Sequence, residues 1–376
     1  MATKRTHFSR RDFLRMTAVG AGTLAGGRLL TACGPQPAAA TATPVPPTAT
    51  SVVTSTATSL PATSLPATST PVSKPDIIKF YPTVPSKVVQ THHAGVWSDK
   101  TLVPGVLRQM LDASITKLTG LNDARSAWAA LFRPGERIAI KVNAFSNSII
   151  WTHVPLVTEV TNSLQEAGIP AENITIYDYR TVELTRAGFT VNVDGPGVRC
   201  TGIDGNIEKD ETKVMSKKIN LGSVLKNCDA LINMPVLKSH MLSGISFAMK
   251  NHFGSIFYPD LLHSYDMKEI AALNALVEIK DRTRLIIGDA LAANLRYANS
   301  FPYWREDWIG DSIFMSFDPV AHDTMGLKLL VSELEKDGGN GASLIGMSTP
   351  SMGYANELGL GTRHDENIEF IEQKLA

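Results

Sequence analysis

Ile138-Ala139-Ile140-Lys141-Val142-Asn143, a helical stretch from Val154 to Ala167 closed by Gly168, and then Ile174-Thr175-Ile176-Tyr177 decide the fold. Two short β-branched runs bracket an amphipathic segment with a glycine stop, the pattern of a strand–helix–strand unit whose strands are buried on both faces. The alternation continues outward. Lys87-Val88-Val89-Gln90-Thr91 reads as a strand, Leu102 to Leu118 as a helix, and Asn122 to Phe132 as a second helix stopped by Pro134-Gly135. Further strands are expected at Leu231-Ile232, Leu285-Ile286-Ile287 and Ile313 to Phe317. The last of these precedes a helix opened by Asp318 as N-cap and Pro319 at its first position. The expected architecture is α/β, a mostly parallel sheet with helices on both faces, in one large domain or a two-lobed one.

The chain ahead of this region reads as an address. Ser9-Arg10-Arg11-Asp12-Phe13-Leu14, a mild Gly-rich apolar stretch from Met16 to Gly27, and Leu30-Thr31-Ala32-Cys33 resemble a twin-arginine export signal ending in a lipoprotein cleavage box. A spanning helix needs roughly 20 apolar residues, and this stretch is about a dozen with four glycines, so a transmembrane anchor is the weaker reading. The expectation is export through the twin-arginine machinery on Arg10 and Arg11, lipidation of Cys33, and a protein held on the outer face of the cytoplasmic membrane, or in the periplasm or at the cell surface. Residues 34–75, rich in Pro, Thr, Ser and Ala, repeat Ser-Leu-Pro-Ala-Thr at Ser59 and Ser64. They cannot bury a core and read as a disordered tether leading to a globular part at 76–376.

Thirty-six basic and thirty-six acidic side chains balance, which removes nucleic acid as an expected partner. After Cys33 only Cys200 and Cys228 remain, too few for an iron–sulfur cluster ligated by this chain alone; whether the two pair stays open. No Gly-x-Gly-x-x-Gly, phosphate loop or Gly-x-Ser-x-Gly elbow is present, which weakens nucleotide-dependent and esterase readings.

In open α/β sheets, ligands bind beyond the carboxyl ends of the strands, so strand ends form the search list. These ends carry His92-His93, Lys141 and Asn143, Asp178, Asn233, Gly288-Asp289 and Asp318. The densest run, Asn233 to Gly254, holds Lys238, His240, Lys250, Asn251 and His252. Helical spacing of Ile245, Ala248, Met249, Phe253 and Ile256 predicts a helix from about Ser243 to Phe257, with His240 in the loop before it. Lys141, Lys238 and Lys250 are candidate anion holders, against the simpler role of charges covering apolar surface. Asn143 and Asn251 are candidate orienting donors. His240 with Asp289 or Asp318 is the candidate proton-handling group, Asp318 being more simply an N-cap. His240, Asp289, His322 and Asp323 are a candidate mixed nitrogen–oxygen metal site, and His252 is as readily a buried neutral histidine as a ligand. Tyr303-Trp304 and Trp308 share a loop and read as packing or as a pocket wall.

Together, Ile138 to Asn143, the Asn233–Gly254 run with its Lys-x-His followed by Lys-Asn-x-x-Gly, Gly288-Asp289-Ala290 and Asp318-Pro319-Val320-Ala321-His322-Asp323 resemble the family catalogued as domain of unknown function 362, over about Val88 to Leu330. The resemblance implies redox or cofactor surroundings, and gives weight to Lys141, Asn143, Lys238, His240, Lys250, Asn251, Asp289, Asp318 and Asp323 as a shared site. This chain lacks the cysteine-rich ferredoxin module that often accompanies the family. Two expectations follow: an extracytoplasmic enzyme using a metal or cofactor and an anionic small molecule, or a solute-binding or scaffold lipoprotein without chemistry.

Overall fold

The computed structural model of this chain describes residues 85–145, 148–298 and 300–376. Arg10, Arg11, Cys33 and the tether at 34–75 lie outside the described residues. Along the chain come β1 (Ser86–His93), α1 (Pro104–Thr119), α2 (Ala124–Leu131), β2 (Ile138–Lys141), α3 (Val154–Glu166), β3 (Ile174–Asp178), β4 (Arg199–Gly202), β5 (Ala230–Asn233), β6 (Val236–His240) and β7 (Gly244–Ser246). They are followed by α4 (Ala248–Asn251), β8 (Thr283–Asn294), β9 (Trp308–Ser316), α5 (Pro319–Lys336), α6 (Gly341–Glu357) and β10 (Ile368–Leu375).

Ten strands form one sheet in the order β10-β1-β9-β8-β5-β2-β3-β4, with β6 pairing β8 and β7 pairing β6. Every pairing is parallel except those of β9 with β1 and β8, and of β7 with β6. The sheet is thus mostly parallel, as the βαβ reading predicts. Side chains alternate between two apolar layers: Ile138 and Ile140 join α1, α2 and α3 on one face, while Ala139 joins α5 and α6 on the other. The same period of two puts Lys141 on the face of Ala139, and Asn233 on that of Leu231. Among the described residues no helix is long and apolar enough to cross a membrane.

Two local expectations are corrected. The stretch from Ser243 to Phe257 is not one helix: Gly244, at φ +71°, turns the chain from β6 into β7, and only Ala248–Asn251 is α-helical. The segment is buried on nearly all sides, so its apolar spacing carries no face information. His240 is consequently the last residue of β6 rather than part of a loop, and it shares a face with Lys238. Strand β8 does not end before Gly288-Asp289; β5 pairs with its first part and β6 with its second, carrying it on to Asn294.

Candidate functional site

From β2 the chain builds outward through β3 to β4, then returns to place β5 on the other side of β2. The carboxyl ends of β2 and β5 therefore flank a topological switch point, the place where open α/β sheets hold their ligands. Lys141 and Asn233 end these two strands, and Asp178 ends β3.

Lys141 is fully buried, and its ammonium donates to Asp178 Oδ1 (2.7 Å), Val142 O (2.5 Å) and Asn251 Oδ1 (3.2 Å). An ammonium has three N–H groups, so this lysine is saturated by the protein. Burial lowers its pKa and Asp178 pulls it back up. Asp178 Oδ2 accepts from Ala144 N (2.5 Å), tying the start of the β2–α3 loop to the same pair. Gly254 is required here, because a Cβ at that position would lie 2.1 Å from Asp178 Oδ1 and 2.8 Å from Lys141 Nζ.

Three asparagines then run in series. Asn233 donates to Ala248 O (2.8 Å), Asn251 to Asn233 Oδ1 (2.8 Å), and Asn143 to Asn251 Oδ1 (3.3 Å). The backbone carbonyl at the start sets the sense of every amide after it, leaving Asn143 Oδ1 as an acceptor. That oxygen takes a hydrogen bond from Lys238 Nζ at 2.6 Å.

Lys238 and Lys250 are 3% and 9% exposed, and among the described residues neither has a carboxylate within ion-pair distance. Lys250 Nζ lies 3.2 Å from His263 Nε2 and 3.9 Å from the centroid of Phe253. His263 Nδ1 is 3.2 Å from Pro259 O, which requires the proton on Nδ1 and leaves Nε2 to accept from Lys250. His240 has the opposite tautomer: its Nδ1 accepts from the backbone N–H groups of Leu242 and Ser243, both at 3.2 Å, so Nε2 carries the hydrogen. Trp304 stacks on His240 at 5.7 Å, lies 5.6 Å from Lys238 Nζ, and is anchored by donation from Nε1 to Ser239 O (2.8 Å). The His240 and His263 rings stack at 6.3 Å. Burial pushes both lysines down to about 7, with the charge of Lys238 adding to the effect on Lys250. Burial, and then the neighbouring lysines, likewise hold both histidines neutral.

The remaining expected site residues lie elsewhere. Asp289 is buried within β8, where its Oδ2 accepts from His153 N and approaches His153 Nδ1, both at 2.8 Å. Burial opposes charge on His153, but this carboxylate more than offsets it and raises the pKa. Asp318 is the N-cap of α5, accepting from Val320 N and Ala321 N (2.8 Å each), Ser86 Oγ (2.5 Å) and Thr362 N (2.9 Å). Because β9 runs antiparallel to β1, its carboxyl end faces the amino ends of the parallel strands, which puts Asp318 at the opposite edge from Lys141. Burial raises its pKa against these four hydrogen bonds. Asp323 accepts from Ala248 N (2.7 Å) and Met249 N (3.0 Å) and so caps α4, while His322 packs on Phe247 at 4.3 Å. His240, Asp289, His322 and Asp323 do not assemble as a metal site, and among the described residues no three His, Cys, Asp or Glu side chains form such a group. The physical reason is alternation and strand direction, which send Asp289 to the α3 side and hold Asp323 on backbone donors. His252 is a buried neutral histidine beside Ser255, its pKa driven by burial to about 3. Cys200 and Cys228 are both buried and unpaired.

Sequence reading missed His263 and undervalued Trp304. His263 follows no strand and belongs to no motif; Trp304 sits in a long connection, and only tertiary packing brings either to β6.

The family described as Domain of unknown function (DUF362) matches residues 138–328, just over half of the chain, and that span includes Lys141, Asn143, Lys238, His240 and Lys250. No curated protein matches. Among solved structures, the chain is similar to the lactate racemase apoprotein from Thermoanaerobacterium thermosaccharolyticum, at 11% identity over 70% of this chain and 59% of that one, with a TM-score of 0.35. It is also similar to a Thermotoga maritima protein at 8% identity, over 69% and 60% of the two chains, with a TM-score of 0.31. The chain spans about three fifths of the length of each, and neither likeness bears on chemistry.

Proposed function

This chain belongs to the family described as Domain of unknown function (DUF362), and on that premise we propose that it is an exported, lipid-anchored enzyme that binds a small anion between Lys238 and Lys250 and moves a proton on it. One observation carries the reading: two almost fully buried ammonium groups, each with a single hydrogen-bond partner among the described residues and neither with a carboxylate of those residues within ion-pair distance. An uncompensated buried charge is costly, and an anion would supply both the missing charge and the missing acceptors. Lysines with pKa values near 7 are matched to proton transfer at neutral pH. His240, with its hydrogen on Nε2, is suited to donate to a ligand oxygen. Lys141 and Asp178 support the site from behind. The leader residues Arg10, Arg11 and Cys33 support export and lipid attachment.

The direct test is thermal denaturation in a phosphate-free buffer, with phosphate or citrate then added. Stabilisation that disappears in Lys238→Met is the expected result; no anion stabilising the wild type at millimolar concentration would refute the reading. Turnover of a bound anion separates an enzyme from a solute-binding lipoprotein. Mass analysis of the mature protein checks the anchor, since an unmodified Cys33 contradicts it.

A further inference from the structure

We infer that Lys250 is a carbonyl-directed nucleophile, and that the ligand class is a small carboxylate bearing an aldehyde or ketone, captured as an imine. The inference rests on the anion reading above and deepens it. Three pieces of geometry carry it. The Lys250 side chain is held on two sides, by Phe253 beneath its nitrogen and by the acceptor Nε2 of His263, whose tautomer is set by Pro259 O. His263 can take one N–H of the amine but, lacking a hydrogen on Nε2, cannot donate to its lone pair, which stays available for attack. Lys238, braced on Asn143 Oδ1, offers a cationic group for the carboxylate while Lys250 acts as a neutral amine, and the Nε2–H of His240 offers a donor for a carbonyl oxygen.

In the step itself, the Lys250 amine lone pair forms a C–N bond to the carbonyl carbon, and the carbonyl π pair moves to oxygen. That oxygen takes up a proton as the nitrogen gives one up to water, giving a neutral carbinolamine. A second proton on the oxygen and loss of one from nitrogen release water and leave the C=N bond. Amine and carbonyl become imine and water with no oxidant or reductant. The charged groups around Lys250 are Lys238, which disfavours its protonation, and Asp260, which favours it; His240 and His263 are neutral. An amine with pKa about 7 is half neutral at pH 7, whereas an ordinary lysine is neutral in only roughly one part in 2,500. Lower basicity gives part of this advantage back, leaving labelling at least about tenfold faster at Lys250 than at an exposed lysine.

The experiment treats the full chain at pH 7 with glyoxylate and sodium cyanoborohydride, then maps carboxymethylated lysines by peptide mass spectrometry. Expected is preferential labelling of Lys250, lost in Lys250→Arg and slowed about tenfold in the wild type by added phosphate, a control that requires no variant to fold. Labelling that is uniform over exposed lysines, centred on Lys238, or insensitive to phosphate overturns the inference. If phosphate stabilises the protein while Lys250 stays unlabelled, the nucleophile fails and the anion reading stands. If phosphate neither stabilises nor protects, both fail.

Discussion

Lys141→Met asks whether Lys141 is framework or ligand holder. The substitution keeps the length of the side chain and removes all three hydrogen bonds, leaving Asp178 buried with Ala144 N as its remaining partner. Stranding one member of a buried ion pair costs about 3–5 kcal/mol. Asn251 Oδ1 keeps its bond from Asn143, so the amide series adds little to this. For a domain of this size each kcal/mol lowers Tm by roughly 2–4 °C, so a fall of roughly 6–20 °C is expected. Urea denaturation followed by far-ultraviolet circular dichroism measures the free energy directly. The partner test is Asp178→Asn combined with Lys141→Met: with the carboxylate charge removed, the double variant should be less unstable than the sum of the singles by at least about 1 kcal/mol. A cost below about 1 kcal/mol for Lys141→Met, or strict additivity in the double variant, would refute the account of Lys141 and Asp178 as a buried structural pair.

Two further outcomes are expected. Without an anion, stability should rise between about pH 7 and pH 10. The native pKa values of Lys238 and Lys250, about 7, lie below the unfolded value of about 10.4, so in that window the unfolded chain binds more protons and raising pH favours the native state, by up to about 1.4 kcal/mol per pH unit for each lysine. Saturating phosphate should flatten the rise; Tm measured across that window in both conditions decides, and a profile flat without phosphate counts against two depressed lysines. Asp318→Ala should lose about 1–2 kcal/mol through its helix cap while leaving phosphate-dependent stabilisation unchanged, because its four partners lie at the opposite edge of the sheet. Calorimetric titration of phosphate into that variant checks the second half, and lost binding would place Asp318 in the site after all.

Much of the architecture is legible in the sequence. The runs at Ile138 and Leu231 are buried on both faces, and such strands announce themselves as short apolar stretches. Asp318-Pro319 announces its helix through cap chemistry that depends only on neighbours in the chain. The segment after His240 was misread because periodicity reports a face only when one side meets water, and here neither does. Asp289 was misplaced because the end of β8 depends on which strands pair with it, a property of partners far along the chain.

By itself, the sequence determined the βα alternation through the strands at Val88, Ile138, Ile174, Leu231, Leu285 and Ile313, the α/β class, and the concentration of Lys, His and Asn beyond β2 and β5, because these follow from local periodicity and residue chemistry. Only the tertiary structure decided how those groups divide. Pairing order set the switch point, strand direction sent Asp318 to the far edge, and side-chain alternation turned Asp289 toward His153. Close packing around Gly254 spent every donor of Lys141 on the protein, while Lys238 and Lys250 were left buried with no carboxylate of the described residues within ion-pair distance. The difference between a structural lysine and one that awaits a ligand lies in its partners, and these come from distant segments of the chain.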